Sequence, residues 1–178
     1  IYGIVFCRTR RETQAIANKF MNDGYNADAI HGELSQSQRD EVMSRFRDKS
    51  LQILIATDVA ARGLDVDSLT HIINYSLPDD PEVYTHRSGR TGRAGKHGIS
   101  IAISNSREGR KLKSIENKSQ INFISKKVPS GKDICSKQLF KLIEKIEKVK
   151  VDEKQIEPFL PDIYSKLESL SREDLIKH

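Results

Sequence analysis

The stretch LQILIATDVAARGLD, Leu51–Asp65, runs from an apolar strand straight into a polar turn. Leu51–Ala56 is the strongest strand signal in the chain, a short apolar run interrupted only by Gln52, of the kind buried on both faces of a parallel sheet. Outward from it the pattern repeats. Gly3–Cys7 reads as another buried strand. A capping box at Thr9 and Glu12 then opens a helix that carries Ala15, Ile16, Phe20 and Met21 inward and stops at Gly24. Asn26–Ile30 reads as a short strand, and Ser35 with Gln38 forms a second capping box before Val42, Met43 and Phe46. Downstream, Thr70–Tyr75 and Gly98–Ser104 read as strands, Pro81 is placed to start a helix, Ser106–Lys118 reads as helical, and Ile121–Ile124 reads as a short last strand. Strands alternating with helices at these lengths predict an α/β fold: an open, mostly parallel sheet with helices on both faces.

Such sheets bind ligands at the carboxyl ends of their strands. Four polar clusters lie past strands: RTRRE (Arg8–Glu12), HGELSQSQR (His31–Arg39), TDVAARGLD (Thr57–Asp65) and HRSGRTGRAG (His86–Gly95). All are placed to meet along one edge. In the last, Arg87, Arg90 and Arg93 recur at three-residue spacing among small residues. On a helix that spacing sends all three to one side, with Gly89 and Gly92 opposite, and planar guanidinium forks suit phosphate. The competing reading is a solvated turn with scattered charge. Thr57 and Asp58 likewise have a plain alternative as helix caps.

The chain has 178 residues, 37% hydrophobic and 31% charged, and a net charge of +5. Residues 1–132 hold 21 Lys and Arg against 15 Asp and Glu, whereas residues 133–178 hold 9 against 10. The basic excess therefore belongs to the first part, which suits a nucleotide or nucleic-acid partner. Cys7 and Cys135 lack disulfide or zinc spacing and read as free thiols. No run has the length of a membrane span, and no metal-ligand spacing stands out. Ile1 leads straight into a strand, as expected of a fragment of something longer. After VPSGK (Val128–Lys132) the pattern changes to amphipathic helices, with apolar stripes Leu139–Val149 and Phe159–Leu170. The boundary is expected near Gly131, giving a sheet domain over 1–131 and a helical extension over 132–178.

Together, HRSGRTGRAG and TDVAARGLD resemble motifs VI and V of the DEAD-box ATP-dependent RNA helicases. IVFCRTR (Ile4–Arg10) resembles motif IV, and HGELSQSQRDEVMSRFR (His31–Arg47) resembles the segment with the Gln-x-x-Arg element, here Gln36 and Arg39. Order and spacing are similar to the second, C-terminal RecA-like domain of that family from Ile4 to about Ile103. His86 favours the DEAD-box over the related DEAH class, which carries Gln there, and Ser88 departs from the usual Ile. The resemblance implies RNA-dependent ATP hydrolysis coupled to local strand separation. It implies that Arg93 is the arginine finger, Arg90 braces the phosphates and His86 couples this domain to the first. It further implies that Asp65 and the Gly63 backbone touch the ribose, with Arg62 ordering that loop. Thr9, Gly32, Gln36, Arg39 and Thr57 would contact the RNA sugar–phosphate backbone. No G-x-x-x-x-G-K-[ST] loop and no DEAD box occur, so ATP and Mg are expected to be held mainly by an N-terminal RecA-like domain of the same parent chain. This chain is expected to be inactive alone and cytoplasmic. The tail is similar to the helical dimerisation segment of bacterial cold-shock-type members, which implies a homodimer through residues 133–178. The alternatives are a non-catalytic RNA-binding or dimerisation module, or a DNA helicase domain of the same fold.

Overall fold

A computed structural model describes residues 1–61, 66, 69–92, 97–150 and 152–177. The chain divides into two units, Ile1–Ile124 and Ser125–His178.

The first unit is built on a five-stranded, wholly parallel sheet in the order β2-β3-β1-β4-β5. Its strands are β1 (Gly3–Cys7), β2 (Ala27–Ile30), β3 (Ile53–Thr57), β4 (His71–Asn74) and β5 (Ile99–Ala102). Helices α1 (Arg10–Asn22), α2 (Gln36–Arg47), α3 (Asp58–Ala61), α4 (Pro81–Ser88) and α5 (Gly109–Ser119) connect or follow them. β1 is central, aligned through Gly3 with Ile53 of β3 on one side and His71 of β4 on the other. The chain leaves β1 in one direction to build β2 and β3, then crosses to the opposite side for β4 and β5. That reversal puts a topological switch point between β1 and β4, where open α/β sheets form their binding crevice.

Side-chain alternation along β1 divides the core. Ile4 and Phe6 join Leu54 and Ile72 against Val42, Met43 and Phe46 of α2. Val5 and Cys7 face the opposite layer, with Ile55, Ala17 and the partly buried Ile16 and Phe20 of α1. A third cluster of Leu77, Tyr84 and Ile115, joined by Phe123, ties α4 to α5. The two capping predictions resolve differently. Ser35 and Gln38 form the full reciprocal box on α2. Thr9 Oγ1 accepts from Glu12 N, but the Glu12 carboxylate takes the Arg8 amide (2.7 Å) and the Ser76 hydroxyl (2.9 Å) instead of the Thr9 amide.

Two sequence expectations are corrected. Ala15 and Met21 face solvent, whereas Thr13 and Ala17 are buried beside the expected Ile16 and Phe20 on the inward side of α1. A polar residue can occupy that face because the Thr13 hydroxyl donates to the Thr9 carbonyl at 2.9 Å. Ile121–Ile124 is not a strand. Gln120 adopts a left-handed conformation at φ 53°, which turns the chain back onto α5. The Ile121 amide then bonds the Glu116 carbonyl (3.1 Å) and the Phe123 amide bonds the Glu116 carboxylate (2.9 Å), so helix groups satisfy what a sheet partner would have used. That amide holds the Glu116 carboxyl below its ordinary range.

The second unit holds α6 (Gly131–Glu147), α7 (Glu153–Ile156), a 3-10 turn (Glu157–Phe159), α8 (Leu160–Leu167) and α9 (Arg172–Lys177). A reciprocal box of Ser130 and Asp133 starts α6. Leu139, Phe140, Leu142, Ile143 and Ile146 of α6, and Phe159 and Tyr164 around α8, are exposed. Among the described residues, no helix is long and apolar enough to cross a membrane.

Candidate functional site

Among the described residues, two clefts lie at the strand ends. The first, of about 460 Å³, is lined by Thr9, Arg10, Arg11, Gln14, His31 and Glu33. Thr9 follows β1 in an extended conformation and caps α1. His31 follows β2, is 6% exposed and had no place among the sequence-derived candidates. The Glu33 amide donates to its Nδ1 (3.3 Å), so the ring proton sits on Nε2 and donates to Gln14 Oε1 (3.0 Å). A His-Gly pair directly after a strand was the only local signal for this pin.

The remaining residues of this side differ in availability. Gly32 and Gln36 are exposed, and Gln36 Nε2 donates to Asp40 Oδ1 at 2.8 Å. Arg39 is half-buried, and its Nη2 donates to the Ala60 carbonyl at 2.6 Å. Thr57 is only 8% exposed, with Oγ1 accepting from the Ala60 amide at 3.4 Å. α3 is therefore held from both sides, by Thr57 at its start and by Arg39 at its end.

The second cleft, of about 300 Å³, is lined by Phe6, Asp58, Ala61, Val83, His86, Arg87 and Arg90. Pro81 occupies the first turn of α4, with Asp80 as its side-chain cap. His86 is exposed at this cleft. Arg87 and Arg90 do not share the single helical face expected of them, and Arg93, the third member of that expectation, lies outside the described residues. α4 ends at Ser88 with Gly89 as its cap, and Gly92 takes φ +69°. Thr91 is drawn into a bridge beside Leu69, so the backbone leaves the helix before Arg90 can continue it. Arg87 itself is 4% exposed and points into the domain rather than outward. Ser88, where the family pattern has Ile, donates its hydroxyl to the Tyr84 carbonyl at 2.8 Å, within its own helix. Arg93, Arg62, Gly63 and Asp65 lie outside the described residues.

Two clefts at the carboxyl edge of a parallel sheet, one basic and one ending in His86 and Arg90, can be set beside known proteins. Residues 3–95 match the helicase conserved C-terminal domain, and residues 134–178 match the helical domain described for a probable ATP-dependent RNA helicase. The chain belongs to the DEAD-box helicase family, as a C-terminal RecA-like domain. It is 40% identical over 146 residues to the ATP-dependent RNA helicase CshA of Limosilactobacillus reuteri, covering 82% of this chain and 29% of that one. A crystal structure of a DEAD box protein from Methanococcus jannaschii matches with a TM-score of 0.64 and 53% identity, over 68% of this chain and 33% of the other. Saccharomyces cerevisiae Dbp5 bound to RNA and ADP BeF3 matches with a TM-score of 0.66 and 28% identity, over 83% of this chain and 38% of the other. The chain thus spans between 29% and 38% of the length of these relatives.

Among the described residues of this DEAD-box domain, no three His, Cys, Asp or Glu side chains converge to hold an ion. Its buried titratable groups are few. Burial within the sheet pushes the Cys7 thiol up to about 12. Burial also raises the Tyr84 phenol, whose hydroxyl pairs with Ser100 at 3.1 Å and whose ring packs edge-on against Phe123. That geometry makes Tyr84 a core residue rather than a base-stacking one.

Proposed function

We propose that this domain supplies half of a composite site for RNA-dependent ATP hydrolysis coupled to the opening of short RNA duplexes. The supporting observation is convergence: segments from four separate motifs reach one sheet edge, and they do so within the matched residues 3–95. Arg93 acts as the arginine finger, Arg90 braces the phosphates and His86 meets the N-terminal domain. Gly63, Asp65 and Arg62 form the ribose side of the nucleotide site. Such a finger accelerates related phosphoryl transfers by about 10³–10⁵. Thr9, Gly32, Gln36, Arg39 and Thr57 form the RNA side, with Thr57 acting through the α3 turn that it caps. ATP and Mg are held mainly by the N-terminal domain, so the isolated chain binds RNA weakly and turns over no ATP. The parent protein works in the cytoplasm.

The test is Arg93→Ala in the full-length helicase. RNA-stimulated turnover should fall by at least about 10³, and Arg93→Lys should restore little, because an ammonium does not reproduce a planar fork. Near-parental turnover at saturating RNA and ATP would remove the finger assignment. Robust turnover by the isolated 178-residue chain would remove the composite site altogether.

A second reading concerns residues 133–178. The exposed apolar residues of α6 and around α8, in a segment of near-neutral charge, favour helix–helix contact over RNA binding. We assign this extension to self-association of the parent.

A further inference from the structure

Arg87 looks, in sequence, like one more member of a phosphate clamp. Its surroundings say otherwise. Nε and Nη2 form a fork onto the Asp58 carboxylate, at 2.6 and 2.7 Å. Nη1 donates to Asn74 Oδ1 and to the Ser76 carbonyl, each at 2.9 Å. Four of the five guanidinium donors are therefore used inside the domain. The guanidinium carbon also lies 4.8 Å from the centre of the Phe6 ring. With 4% exposure, little of the side chain remains for a ligand.

The partners are spread widely in sequence and meet at one point. Phe6 lies near the end of β1, Asp58 opens α3 directly after β3, and Asn74 and Ser76 bracket the end of β4. Arg87 sits in the last turn of α4, between His86 and the turn that carries Arg90. Through Asp58 it reaches α3, whose Ala60 is held by Arg39 and Thr57. An unbroken line of bonded groups thus connects the RNA side of the proposed site with its nucleotide side.

We propose that Arg87 is a positioning residue that couples the two clefts. It binds neither phosphate nor RNA. It locks the ends of β1, β3 and β4 to α4, so that the orientation of α3 and the orientation of His86 and Arg90 are set together. This rests on the reading of the domain as half of an RNA-dependent ATPase. Arginine is required because the lock needs a planar fork toward Asp58 and a third direction toward Asn74 and Ser76. A lysine ammonium offers no such fork.

The experiment measures coupling rather than folding. In the full-length helicase, affinity for a fluorescent single-stranded oligouridylate is determined with and without ADP–beryllium fluoride. The parent is compared with Asp58→Asn, Arg87→Lys and, as a reference, Arg90→Ala, and each melting temperature is recorded. Asp58→Asn keeps the side-chain shape and leaves the arginine its contacts to Asn74 and Ser76, so it tests the fork without emptying the site. The nucleotide-dependent gain in RNA affinity is expected to fall by about 10-fold or more in both Asp58→Asn and Arg87→Lys. Affinity without nucleotide should change less than that. If both variants keep the parental gain and only melt earlier, Arg87 is a purely structural ion pair and the proposal is overturned. If Arg90→Ala abolishes the gain while Asp58→Asn keeps it, the positioning role fails and the functional reading stands. If Arg90→Ala also has no effect on the gain or on turnover, the functional reading itself has failed.

Discussion

Replacing Arg39 by Ala separates two roles that sequence and structure assign to the same side chain. In the fold, Arg39 reaches from α2 to the Ala60 carbonyl at 2.6 Å, and Ala60 is 2% exposed. A hydrogen bond from a charged donor contributes about 1.5–3 kcal/mol. Because Arg39 is only half-buried and water can replace part of it, the cost of truncation should sit near the lower end, about 2 kcal/mol. For a unit the size of Ile1–Ile124 that corresponds to a fall in melting temperature of roughly 5–10 °C. In the functional reading, Arg39 also meets an RNA phosphate. Loss of one such contact should reduce the slope of log affinity against log salt by about 0.7 on single-stranded RNA. Thermal melting of the 178-residue chain checks the first role. Titrations of a fluorescent oligouridylate across a salt series, in the full-length helicase, check the second. A variant that melts with the parent refutes the Ala60 tether. A variant with an unchanged salt slope refutes the phosphate contact, whatever its stability.

Thiol labelling of the native chain near pH 8 should modify Cys135 and spare Cys7, with both reacting after denaturation; equal native reactivity would contradict the burial of β1. Because folding raises the Cys7 pKa to about 12, the unfolded chain loses that proton first as pH rises. The corresponding stability is complete below the ordinary thiol pKa of about 8.5 and is lost between there and about 12, so melting temperature should fall across that alkaline window. Gly3→Ala should destabilise the first unit by about 3 kcal/mol or prevent its folding. An added Cβ would press on the His71 carbonyl, a backbone atom fixed by the β1–β4 pairing; an unchanged melt would mean that the pairing is looser than observed. Sedimentation of the full-length helicase and of a form lacking residues 133–178 tests self-association, which is supported if only the full-length protein associates at micromolar concentration and refuted if neither does.

What the sequence determined by itself is whatever depends on neighbours within a few residues. The Ser35 box, the Pro81 helix start and the Gly24 stop all involve partners no more than four positions away, and each was legible from residue type and spacing. The central strand β1 was legible because burial on both faces requires an apolar run, and all five of its residues are buried. The order in which strands and helices alternate already brought the polar clusters to one edge. Contacts formed across the fold were not legible. Whether Thr13 or Ala15 faces inward in α1 depended on which position the sheet covered. Ile121–Ile124 has strand composition, but Gln120 turned it toward α5, and Glu116 took the amides that a sixth strand would have shared. Arg87 is the clearest case. Its spacing matches that of Arg90 and Arg93, yet its partners lie 11, 13 and 29 positions away. Only the parallel order of β3, β1 and β4 brings Asp58, Phe6 and Asn74 around it. A guanidinium enters a core when enough acceptors converge on it, and that convergence is a property of the assembled sheet rather than of any segment of the chain.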